Sequence, residues 1–146
     1  MLTSYFQPGD MLHAAHVAGW REAVDTAAAP LLADGRITPD YVEAIKTTIA
    51  APGGTYIDLG GGVALAHSRP ENGVNATCLS VLHVDEPFAL ADDEAHPITT
   101  MFCLAAEDSN AHIDLMQALA GLLTDPERLA ALNAAADVEA LAAALA

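Results

Sequence analysis

Positive charge is scarce in this chain. Of 146 residues, 5 are Lys or Arg against 20 Asp or Glu, a formal net charge of −15. Such a surface repels nucleic acid and anionic lipid, so neither is an expected partner. It suits attraction of a basic protein, which speeds that encounter, and equally suits plain solubility through net charge. Aromatics are also few, at 5%, although 53% of residues are hydrophobic. The core must then come from Ala, Leu, Val and Ile, and so apolar a chain argues against disorder. Cys78 and Cys103 fall in apolar runs, with no CxxC or Cys/His ligand spacing. That argues against a zinc module and for buried free thiols in a reducing compartment. No charged-then-apolar leader and no run of about 18 apolar residues is present, so a soluble, cytoplasmic protein is expected. GxSxG, GxGxxG and GK[ST] are all missing, which leaves no serine triad and little case for a nucleotide. Of the six histidines only His13 and His16 sit at ligand spacing. A site joining His83 and His96 to His67 is not expected, so neither metal nor cofactor is called for.

What is present suits one domain, residues 1–146. Hydrophobic periodicity predicts a helix over Gly19–Ala33, stopped by Asp34-Gly35. Thr38-Pro39-Asp40 starts a second, which Pro52-Gly53-Gly54 ends. Short glycine-bounded runs follow, and Thr55–Leu59 and Val63–His67 read as strands. Thr77–Val84 and Ile98–Ala105 are apolar on both alternating faces, as strands covered on both sides are. Asp85-Glu86-Pro87 is expected to break the first of these, and Ala91–Pro97 to form an acidic loop. A short strand is expected near His13–Val17. Asp108, Asp125-Pro126 and Asp137 mark three closing helices. Helices, then strands, then helices predict an α/β sandwich. Its central mixed sheet should have four or five strands, with helices on both faces.

One stretch stands out, Leu65-Ala66-His67-Ser68-Arg69-Pro70-Glu71-Asn72-Gly73-Val74. Alternation puts Val63, Leu65 and His67 on one face, with His67 where strand gives way to loop. Function often sits at such edges. A neutral imidazole there can serve as general base, metal ligand or phosphoryl acceptor. Arg69, a fixed cation two residues on, disfavours a metal and suits phosphate oxygens. A core-edge histidine with Arg69 paired to Glu71 fits the same residues. His112 shares a helical stripe with Met116, Leu119 and Leu123, in the first turn of its helix. Backbone N–H groups there receive anions, and a neutral ring can orient a phosphate. A buried structural histidine fits equally. Gly60-Gly61-Gly62 reads as a tight turn rather than an anion cradle.

These residues carry a resemblance. Gly54 to Val74, with its HxRPxxGV core, resembles the active-site segment of sugar phosphotransferase EIIA domains of the mannitol/fructose type. It is nearest in form to the ascorbate-type branch. Ala105-Ala106-Glu107-Asp108-Ser109-Asn110-Ala111-His112 resembles the second-histidine segment of that family. The resemblance implies a mixed sheet between helical layers. It implies that His67 accepts a phosphoryl group from the small carrier HPr and passes it to an EIIB domain. The membrane EIIC is then reached only indirectly. His112 would be the auxiliary histidine near the phosphate, and Arg69 would stabilise it. An ascorbate-like, pentitol or hexitol substrate is implied for the system, and a homodimer is compatible with it. A regulatory module that senses phosphorylation and binds a partner protein is the alternative. Two residues depart from the family pattern. Ala66 replaces the usual proline before the active histidine. No arginine stands between Tyr41 and Gly54, where Lys46 is the only cation, so Arg69 is expected to cover that role.

Overall fold

Alternation decides which way each strand faces. In the longest strand, Leu79 and Val81 face one side, and Cys78, Leu82 and Val84 the other. Both sets are buried, because helices cover both faces. The computed structural model describes residues 2–146. Its sheet contains β1 (Met11–Ala14), β2 (Asp58–Gly60), β3 (Val63–Ala66), β4 (Cys78–Ala89) and β5 (Pro97–Ala105), in the order β1-β4-β5-β3-β2. β1 runs parallel to β4 and β3 parallel to β5, while the β4–β5 and β2–β3 pairs are antiparallel. The expected mixed sheet is therefore present, five strands wide.

Helices α1 (Trp20–Ala33) and α2 (Pro39–Ala50) pack on the face carrying Ala64, Ala66, Met101 and Cys103. Helices α3 (Ser109–Leu123), α4 (Pro126–Asn133) and α5 (Val138–Leu145) cover Val63, Leu65, Phe102 and Leu104. The sequence-read caps operate. Asp108 and Asp137 each accept a backbone N–H at 2.8 Å, and Asp125 accepts two. Each such cap contributes about 1 kcal/mol. At one end of the sheet, Arg36 clamps the fully buried Asp10 with two bonds of 2.7 and 2.8 Å. Removing either partner would strand a buried charge.

Three sequence expectations need correction. The first strand is Met11–Ala14, not His13–Val17, because its ladder with β4 runs from Met11↔Val81 to Ala14↔Val84 and stops. Gly54–Ile57 is a 3-10 turn rather than strand, so β2 keeps only Asp58–Gly60. Asp85-Glu86-Pro87 does not end β4, which continues to Ala89. The ladder shifts register between His83 and Phe88, and Pro87, which has no N–H to donate, sits in that irregularity. Gly60, which ends β2, and Gly61 and Gly62, which lead into β3, all have positive φ, as a tight turn requires.

Candidate active site

β3 ends at Ala66 and delivers His67 to the sheet's edge, on the α3 side that Val63 and Leu65 already face. The half-buried ring folds back on its own strand, with Nδ1 2.9 Å from the Leu65 carbonyl oxygen. A carbonyl only accepts, so the neutral ring carries its proton on Nδ1. Nε2 is left with the lone pair and no hydrogen-bond partner among the described residues. Burial pushes the pKa of His67 below the usual histidine value, and nearby His112 pushes the same way against the pull of the Leu65 carbonyl. The ring is therefore neutral, and Nε2 nucleophilic, at pH 7.

The first turn of α3 brings His112 against it, with ring centroids 5.9 Å apart. Tyr56, from the Gly54–Ile57 turn, meets His67 edge-on at 6.0 Å and is 59% exposed. Beyond β3 the chain turns through Pro70–Asn72 and closes on Gly73, whose carbonyl accepts the Thr38 N–H at 3.0 Å. Only glycine fits there: φ is 137°, and a Cβ would stand 1.9 Å from Thr38 Oγ1. This return carries Arg69 to the mouth of an open cleft of about 460 Å³. Thr48, Tyr56, His67, Ser68, Arg69, Asn72 and His112 line it.

The sequence-predicted His67, Arg69 and His112 thus meet in one cleft. Arg69 makes no ion pair with Glu71 or any other described residue, so the paired arrangement left open by the sequence is not adopted. The other cations are engaged. Arg36 binds Asp10 and Asp34, and Lys46 binds Asp25 and Glu43. Arg128 donates to the carbonyls of Ala144 and Leu145, and Arg21 lies over the Trp20 ring. His83 and His96 are elsewhere, beside Thr100 and Asp58. Among the described residues no three His, Cys, Asp or Glu side chains cluster as metal ligands. Both cysteines are buried free thiols, and burial pushes Cys78 up to about 11 and Cys103 up to about 12.

The family model of the phosphoenolpyruvate-dependent sugar phosphotransferase system, EIIA 2, matches residues 4–146. The chain belongs to this family. The mannitol-specific cryptic phosphotransferase enzyme IIA component of Escherichia coli K12 is 34% identical over 142 residues, covering 97% of this chain and 95% of that one. Its solution structure superposes with a TM-score of 0.89 at 32% identity, over 99% of this chain and 97% of that chain. The ascorbate-specific EIIA component of the same organism is 32% identical over 117 residues, 79% of this chain and 75% of its own length. The complex of the Escherichia coli mannitol enzyme IIA with phosphorylated enzyme IIB shares the fold, at TM-score 0.78 and 20% identity, over 96% of each chain.

In this EIIA chain the two departures have visible consequences. Ala66 is fully buried and pairs with Cys103, so the ladder holds the approach that a proline would stiffen. Lys46 is tied to carboxylates of α1 and α2, which leaves Arg69 as the cation lining the cleft. Tyr41, whose hydroxyl accepts the N–H of Ser68 beside His67, was not singled out from the sequence. The signal was there: a lone tyrosine in an aliphatic stripe needs a partner for its hydroxyl. Ser68 and Asn72 were passed over too. Asn72 Nδ2 donates to Ser68 Oγ at 2.9 Å, beside His67. No helix is long and apolar enough to cross a membrane among the described residues.

Proposed function

We propose that this chain is the phosphocarrier of a sugar phosphotransferase system, with Nε2 of His67 as the phosphoryl acceptor. One observation carries the reading. The Leu65 carbonyl holds the proton on Nδ1, so the lone pair sits on the nitrogen left open beside His112 and an unpaired Arg69.

The chemistry follows from that arrangement. The Nε2 lone pair attacks the phosphorus of a donor phosphohistidine, which we assign to HPr. A P–Nε2 bond forms, the donor's P–N bond breaks, and its electron pair returns to the donor ring. Such transfers need in-line positioning and charge stabilisation more than covalent machinery. Arg69 supplies two parallel N–H donors to equatorial oxygens, and His112 supplies one more. The phosphorylated ring gains positive character, which the Leu65 carbonyl stabilises through Nδ1–H. In the second step a thiolate or imidazole of an EIIB partner attacks the same phosphorus, and the P–Nε2 pair returns to His67. No net proton is consumed. The mannitol complex with phosphorylated enzyme IIB supports this choice of partner. The sugar, ascorbate-like or a pentitol or hexitol, is met only downstream at the membrane EIIC.

The test is incubation with phosphoenolpyruvate, enzyme I and HPr, followed by assay of acid-labile phosphate. Label on the wild type and none on His67→Ala is expected. An unlabelled wild type, or label undiminished in His67→Ala, would refute the carrier reading.

A further inference from the structure

Tyr41 is fully buried on the inner side of α2, yet its hydroxyl lies where β3 and β5 separate. The two strands pair in parallel from Val63↔Thr100 to Ala66↔Cys103 and no further. Beyond that point the phenol oxygen stands between them. It accepts the Ser68 N–H at 3.0 Å and donates to the Leu104 carbonyl at 2.7 Å. The Ser68 carbonyl, at 3.2 Å, competes for the same single proton from a greater distance. One hydroxyl therefore takes the place of the next rung of the ladder.

The consequence reaches the acceptor nitrogen through covalent geometry. The Ser68 N–H belongs to the peptide unit that also contains the Cα of His67, and that unit is planar. Fixing it fixes ψ of His67. The ring itself is hydrogen-bonded from Nδ1 to Leu65, two residues back along the same chain. The Tyr41 bond thus anchors the chain just after His67, and the Nδ1 bond ties the ring to the chain just before it, so the histidine is held from both sides.

We propose that Tyr41 is a positioning residue for His67, its hydroxyl wedging β3 from β5 so that Nε2 faces the cleft in a single tautomer. The inference rests on the acceptor role of His67 for its kinetic consequence, but not for its structural one. Burial raises the phenol well above its usual pKa, so the proton stays available to Leu104 throughout the working range.

Tyr41→Phe removes one oxygen and little else. The first readout is ¹⁵N NMR of His67 in the unphosphorylated protein, which needs no donor. Wild type should show the Nδ1–H tautomer alone, and the variant a mixture with a shifted titration. The second is transfer from phospho-HPr, where kcat should fall about 10- to 100-fold with KM nearly unchanged, as for a misaimed nucleophile. Ile45 is buried one turn further along α2, so Ile45→Val loosens that helix without touching the hydroxyl and should leave tautomer and kcat as they are. Wild-type tautomer and kcat in Tyr41→Phe would overturn the proposal, as would an equal disturbance in Ile45→Val. Should Tyr41→Phe not fold, 3-fluorotyrosine placed at 41 alone keeps the shape and alters both bond strengths. A changed His67 titration then supports the wedge, and an unchanged one overturns it. If wild type takes no phosphate, the carrier reading falls while the tautomer comparison still decides the role of Tyr41.

Discussion

Two histidine pairs in this protein have nearly the same spacing and opposite characters. His67 and His112 lie 5.9 Å apart, and His13 and His83 stack at 6.0 Å. The second pair is closed. His13 Nε2–H donates to Asp85 at 2.9 Å, and buried His83 shares a hydrogen bond with Thr100 Oγ1 at 2.8 Å. Strand register produces this row, since His13 lies opposite His83 and His83 opposite Thr100. The first pair is open, with one lone pair uncommitted and an arginine free of carboxylates beside it. Proximity of two imidazoles therefore says little about chemistry. The distinction is whether a nitrogen and a cation are left without partners where a substrate can reach them.

The largest effect should come from exchanging the same substitution between the pairs. His67→Gln should lose acid-labile phosphate entirely, while His83→Gln takes label at the wild-type level. Loss of label in His83→Gln would dissolve the contrast. Next is Arg69→Gln. Removing a preorganised charge donor should slow acceptance from phospho-HPr by about 10²- to 10³-fold. Arg69→Lys should recover only part, because an ammonium cannot make two parallel bonds. Stopped-flow transfer measures both. His112→Ala should cost less, about tenfold, as expected for one neutral hydrogen bond of about 1.4 kcal/mol in the transition state. Unchanged kinetics would make His112 a packing residue like His83.

The smallest effects are on stability. Thr100→Val leaves the His83 nitrogen unpaired in the core, at a cost of about 1–3 kcal/mol in urea unfolding. Acid should weaken the fold as well. Burial holds both His67 and His83 below the usual histidine pKa, with His13 adding to the effect at His83. Between those lowered values and about 6.5 the unfolded chain binds protons that the folded one does not. Their contribution is thus complete above about pH 6.5 and is lost as pH falls toward the folded values. His83→Gln should flatten the urea midpoint between pH 7 and pH 5.5 relative to wild type.

Much of this was legible in the sequence, for identifiable reasons. The three aspartate caps were readable because a cap depends on residues within one turn. The two-sided apolar runs of β4 and β5 announced a covered sheet. His67 and Arg69 could be read together because only Ser68 separates them, and His112 because its helical stripe showed a face. Errors arose where local cues met tertiary constraints. Pro87 looked like a strand breaker, but a register shift accommodates it. Thr55 and Tyr56 looked extended, but Gly54–Ile57 forms a tight 3-10 turn. Tyr41 and Ser68 are 27 residues apart, and no period in the sequence links them.

The cleft over His67 has consequences for time as well as for geometry. Among the described residues no segment lies across it. On the carrier reading, water reaches Nε2 by the route the phosphoryl group takes. On that reading Arg69 and His112 would lower the barrier for any nucleophile that lines up, and water is always present. The phosphorylated protein is then a short-lived store. Its fidelity depends on how soon an EIIB surface arrives to displace water from the rim at Tyr56 and Ile113, the exposed apolar side chains beside the two histidines. The partner, rather than the carrier, would set how much of each phosphoryl group's energy reaches the sugar.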